Sequence, residues 1–63
     1  MMKIRKKIYF ENATDDDLDE IYERFPEVDF FYGDRFLKFH GTPERLQEVI
    51  RYAESQALKP IIK

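Results

Sequence analysis

Three observations predict an α+β fold with the element order β-α-β-β-α-β. Ile4, Ile8 and Phe10 share one parity, as do Val28 and Phe30 and, across a turn, Leu37 and Phe39, which is the pattern of strands with one buried face. Two segments instead repeat at helical spacing: Leu18, Ile21, Tyr22 and Phe25, then Leu46, Val49, Ile50, Ala53 and Ala57. Gly33-Asp34 interrupts the second alternating stretch where a hairpin needs a tight turn.

The first strand runs from Lys3 to Phe10. Ile4, Ile8 and Phe10 mark its core side, with Lys6 as the exception, and Arg5, Lys7 and Tyr9 point the other way. Thr14-Asp15-Asp16-Asp17 opens the first helix. The Thr14 hydroxyl can accept from an orphan amide, Asp17 completes a capping-box variant, and the carboxylates suit the positive helix end. Pro26 stops this helix, because a residue before proline is pushed out of the α region.

Residues 27–39 read as a hairpin around Gly33-Asp34, with glycine first as a two-residue type II′ turn prefers. That register sets Val28 against Phe39, Asp29 against Lys38, Phe30 against Leu37, Phe31 against Phe36 and Tyr32 against Arg35. Val28, Phe30, Leu37 and Phe39 then share the core face. Phe31, Phe36, Asp29 and Lys38 share the other, where Asp29 and Lys38 can form a cross-strand ion pair. Thr42 caps the second helix and Pro43 takes its first position. Leu58 to Lys63 forms a last strand, which Pro60 assigns to a sheet edge.

Crossovers of β-α-β type then give a four-stranded antiparallel sheet with two helices on one face, the ferredoxin-like arrangement. The opposite face is left open and carries Arg5, Lys7, Tyr9, Phe31, Phe36 and Lys38. Function is expected there, since rings on an open sheet favour something that stacks on them.

The chain of 63 residues is read as one domain, 1–63, short enough that its stability is expected to be marginal. It has no cysteine, so neither a disulfide nor thiolate chemistry is available. The basic start lacks an apolar stretch of signal-peptide length and no apolar run approaches a membrane span. The expectation is a cytoplasmic domain that does not engage membranes. The net charge of −2 is unevenly distributed. Residues 1–10 hold Lys3, Arg5, Lys6 and Lys7 and no acid, residues 11–30 hold nine acids against Arg24, and the remainder holds six bases against four acids. An acidic balance disfavours nucleic acid, where phosphate neutralisation dominates, but the basic first strand opposes that trend.

The segment Ile8-Tyr9-Phe10-Glu11-Asn12-Ala13 resembles the shorter signature of the RNA-recognition motif: aliphatic, aromatic, aliphatic, any, Asn, Leu. Tyr32-Gly33-Asp34-Arg35-Phe36-Leu37-Lys38-Phe39 is similar to the longer one in its second half. Its first half departs, with Tyr32 at the basic position, Asp34 at an aromatic position that family members use for stacking, and Arg35 at the small position. The Thr-Asp-Asp-Asp-Leu helix start and Phe25-Pro26-Glu27-Val28 also resemble family members, so the chain looks like a minimal, degenerate form of the motif. The resemblance implies Tyr9 and Phe36 as stacking positions for single-stranded RNA or DNA. Phe31 can replace the missing ring, and Arg5, Lys7 and Lys38 are placed to contact phosphates.

Other chemistry finds little support. The run Asp15, Asp16, Asp17, Asp19, Glu20 and Glu23 is read as a solvated helix start in preference to a metal site, a nucleic-acid mimic or a docking surface. It lacks the Gly and Glu spacing of a calcium loop. His40 is the only histidine; Thr42 and Ser55 are hydroxyls without a catalytic motif, so no catalytic residue, metal or cofactor is expected. The second functional class is a protein-interaction module, either a small regulator or inhibitor or a homodimer joined through the sheets. A designed or purely structural domain without a ligand is the third, since local and global signals agree along the chain.

Overall fold

The computed structural model describes residues 2–31 and 35–63. Its elements are β1 (Ile4–Phe10), α1 (Asp15–Arg24), β2 (Val28–Asp29), β3 (Phe36–Gly41), α2 (Pro43–Ser55) and β4 (Pro60–Ile62). The strands form one antiparallel sheet in the order β2-β3-β1-β4, the ferredoxin-like arrangement that the element order predicts.

Both helices begin as their sequences require. The Thr14 hydroxyl accepts the Asp17 amide at 3.2 Å while the Asp17 carboxylate accepts the Thr14 amide at 3.0 Å, a complete capping box. Thr42 accepts the Arg45 amide at 3.3 Å. Phe25, before Pro26, closes α1 in an extended conformation.

One apolar layer lies between the helices and the sheet. Ile8, Ile21, Val28, Leu37, Phe39 and Val49 are its largest fully buried side chains, packed with Ala53 and with Phe10, Leu18, Phe25, Leu46 and Leu58 around them. Burying each such large side chain contributes about 1.5–3 kcal/mol relative to exposure. At the seam between the helices the Tyr52 hydroxyl donates to Glu20 at 2.9 Å, which holds its proton and raises its pKa above the ordinary tyrosine value. The Arg24 guanidinium lies 4.6 Å from the centre of the Tyr52 ring.

The hairpin register is as expected where it is described. Val28 faces Phe39 and Asp29 faces Lys38, and the His40 amide donates to the Glu27 carbonyl at 3.0 Å. The regular ladder is shorter than the alternation suggests, since β2 spans only Val28–Asp29. The expected turn at Gly33-Asp34, and Tyr32 beside it, lie outside the described residues.

Three local expectations are corrected, and one glycine is explained. Tyr22, placed by its spacing in the α1 core stripe, is 44% exposed, because Leu18, Ile21 and Phe25 already fill the face towards the sheet. Ala57 is exposed and past the end of α2, in a left-handed conformation with φ of 63°. The Ala57 amide donates to Glu54 and the Leu58 amide to Ala53, both at 3.0 Å, and the buried pair Ala53 and Leu58 completes a Schellman stop. Gly41 is buried at the end of β3, where an added Cβ would sit 2.9 Å from the Phe39 ring and 3.0 Å from Glu27 Cγ. Close approach accounts for this glycine. Finally, Asp29 and Lys38 face each other without an ion pair: among the described residues the salt bridges join Arg45 to Glu27 and to Glu48.

Candidate functional site

The open sheet face is assembled by register. Tyr9 on β1 is paired with Phe36 on β3 and with Ile61 on β4, so these three side chains share one row. Two residues along, Lys7 is paired with Lys38, which is paired in turn with Asp29. Reciprocal backbone bonds of 3.0 and 2.8 Å set Lys63 opposite Lys7, just past the end of β4. Arg5 and His40 form the next row.

The structure therefore brings together all six residues expected on this face. Tyr9 and Phe36 are half-buried and pack on one another, with centroids 5.1 Å apart and planes tilted by 37°. Phe31 is 59% exposed and follows β2 at the margin of the sheet. Arg5, Lys7 and Lys38 are exposed.

Three ammonium groups lie over these rings. Lys7 Nζ is 5.3 Å from the Phe36 centroid, Lys63 Nζ 5.5 Å from Tyr9, and Lys38 Nζ 5.6 Å from Phe31. Each distance is within the reach of a cation–π attraction, worth about 0.5–1 kcal/mol at an exposed site.

An open concavity of about 720 Å³ lies beside the rings, lined by Arg5, Lys6, Lys7, Tyr9, Asp29, Lys38, Phe39, His40 and Lys63. One acid stands among these bases. The acidic residues Asp15, Asp16, Glu20 and Glu23 are exposed on α1, which belongs to the helical layer. The uneven charge of the sequence thus becomes a basic sheet face and an acidic helix.

Lys63, Ile61 and His40 belong to this face and were not among the residues expected on it. Their signal was parity: in the last strand Ile62 pairs with the core residue Ile8, which puts Ile61 and Lys63 on the opposite side. A stretch of three strand residues is too short for alternation alone to show this.

Among the described residues no group of His, Cys, Asp or Glu converges as a metal site, and no helix is long and apolar enough to cross a membrane. Comparison of the chain with protein-family models, with curated proteins and with solved structures gave no match.

Proposed function

We propose that this chain is a non-catalytic module that binds single-stranded nucleic acid on the open face of its sheet. The observation that carries this reading is the Tyr9–Phe36 ring pair, set among Arg5, Lys7, Lys38 and Lys63, with Asp29 as the one acid among the described residues that line the adjoining concavity. Stacking a base on an aromatic side chain contributes about 1–3 kcal/mol. That exceeds the roughly 0.5–1 kcal/mol of an exposed lysine over a ring. A base therefore displaces the ammonium, and the freed lysine remains within reach of the incoming phosphate. The acidic balance of the whole chain does not oppose this, because most of its carboxylates lie on the other layer.

The test is an NMR titration of the labelled domain with a randomised single-stranded RNA pool at low and moderate salt. Shifts clustered at Tyr9, Phe31 and Phe36 that weaken with salt are expected. A face that stays silent at both salt concentrations overturns the reading.

A second reading is a protein-interaction module on the same face. Phe31 and Ile61, 59% and 41% exposed, extend the apolar surface beyond the ring pair in a way that suits a protein partner. Pairing of two identical sheets is the weaker form of this reading, since it brings like-charged lysine rows together. Light scattering across a concentration series checks it: a constant monomer mass removes the homodimer.

A further inference from the structure

Lysines stand opposite one another across two strand boundaries of the open face. Lys7 is the pairing partner of Lys38, and reciprocal backbone bonds set Lys63 on its other side. Like charges directly opposite destabilise a sheet. The next row adds Arg5, paired with His40. Among the described residues the salt bridges belong to Arg45, so no carboxylate neutralises Arg5, Lys7, Lys38 or Lys63.

These cations are also crowded. Facing residues on neighbouring strands are about 4.5–5.5 Å apart at Cα, and successive positions on one face about 7 Å apart. The row of lysines and Arg5 therefore start from a patch of about 10 Å by 7 Å. In a nucleic-acid strand each phosphate carries one charge and a sugar separates it from the next. In a triphosphate the charged groups share bridging oxygens, so its charge density matches such a patch better.

Room for this group lies between the two rows. The ammonium groups of Lys7, Lys38 and Lys63 lean towards the rings, 5.3–5.6 Å from their centroids, and so away from Arg5 and His40. Lys6 and Phe39, the pair between the rows, line the concavity of about 720 Å³. The Phe39 side chain is buried in the core, so strand backbone forms the floor at that point. Asp29 closes the β2 end, where its carboxylate repels an anion.

We infer that this concavity is a binding site for a compact polyanion, a triphosphate group, held by Arg5, Lys7, Lys38 and Lys63 with His40 at its margin. The lysines swing from the rings to the phosphate oxygens, and the bound charge cancels the repulsion within their row. The site does not rest on the proposed function, since it needs no base on any ring. The triphosphate belongs either to a free nucleotide or to the 5′ end of a single strand.

The experiment titrates the full chain with inorganic triphosphate, followed by NMR at about 0.15 M salt without divalent cations, with inorganic phosphate as the control. Triphosphate is expected to bind at least about tenfold more tightly, the gain from one further charge-assisted bond, with shifts at Arg5, Lys7, Lys38 and His40. Equal affinity for the two anions, or shifts spread evenly over every lysine and arginine, overturns the site. Lys38→Gln should weaken triphosphate binding by about tenfold while the urea midpoint of the free domain stays level or rises, because a like charge opposite Lys7 is gone. A lowered midpoint with unchanged affinity makes Lys38 structural and overturns its role. Arg51→Gln, at an exposed base on α2, should change neither quantity, and a loss of affinity equal to that of Lys38→Gln overturns the site.

Uridine triphosphate and an oligouridylate bearing a 5′-triphosphate or a 5′-hydroxyl then identify the source. Tighter binding of the triphosphorylated strand than of either other probe assigns the strand end. Equal affinity of that strand and uridine triphosphate, with no binding of the hydroxyl strand, assigns the free nucleotide and overturns single-strand binding alone. Equal binding of the two strands, with none of uridine triphosphate, overturns the triphosphate site and leaves the proposed function intact.

Discussion

Asn12 ties the end of β1 to the turn that launches β4: its amide nitrogen donates to the Ala57 carbonyl at 3.0 Å, and its side-chain oxygen accepts the Lys59 amide at 3.2 Å. The connection spans more than forty residues of sequence and holds the short edge strand that carries Lys63. Asn12→Ala is expected to lower stability by about 1–2 kcal/mol, the net contribution of two hydrogen bonds. Hydrogen exchange should show the Lys63 and Lys7 amides losing protection before those of β3. Equal loss across the sheet would contradict this local role.

Ala57 is held in the left-handed region by the Schellman stop. That conformation costs a residue with a Cβ about 1–2 kcal/mol. Glycine removes the strain but adds roughly 0.4–1 kcal/mol of unfolded-state entropy. Ala57→Gly should therefore stabilise the domain by about 0.5–1 kcal/mol, seen as a higher urea midpoint at unchanged slope.

Gly41→Ala has the opposite expectation. The new methyl would meet the buried Phe39 ring at 2.9 Å, and Glu27, its other close neighbour, is tied to Arg45. Overpacking of this kind costs about 1–3 kcal/mol. A midpoint equal to that of the parent chain would refute the close-approach account of this glycine.

The Glu27–Arg45 pair makes stability depend on pH. Arg45 Nε donates to the half-buried Glu27 carboxylate at 2.8 Å and Nη2 donates to its other oxygen at 3.3 Å, which lowers the Glu27 pKa below the ordinary glutamate value. A lowered folded-state pKa contributes stability that is present above the unfolded value, about 4.3, and is lost as pH falls through the folded one. Partly exposed pairs contribute at most about 1 kcal/mol. Glu27→Gln should thus be less stable than the parent near neutral pH, with the gap closing in acid. A gap of constant size across the titration would refute this linkage.

Tyr9→Ala and Phe36→Ala test the proposed site directly. Each removes a half-buried ring from the open face while the core beneath, Ile8 and Leu37 included, stays in place. Loss of one stacking contact is expected to weaken single-strand binding by about 1–3 kcal/mol, with the circular dichroism spectrum retained. Undiminished affinity in both variants would exclude the ring pair as the binding platform.

What could be read from the sequence was mostly local or periodic. The Thr14 and Thr42 caps depend on residues three positions apart, and the pairing of Val28 with Phe39 follows from matching two short alternations across one turn. Tyr9 and Phe36 could be assigned to one face by parity before their strands were known to be neighbours. Tyr22 and Ala57 could not be placed, because spacing says which side chains share a helix face but not how wide the buried face is or where the helix stops. The diagonal contact of Lys63 with Tyr9 was hidden for another reason: it joins the two ends of the chain and depends on how far β4 slides along β1.

The separation of charge between the two layers also bears on how the molecule meets a partner. With bases on the sheet and acids along α1, the domain carries a dipole moment despite its small net charge. Near a polyanion that moment exerts a torque, turning the basic face forward within a Debye length, about 8 Å at physiological ionic strength. Productive collisions then become a larger share of all collisions, and the benefit falls on the association rate, which salt should reduce more steeply than it raises the dissociation rate.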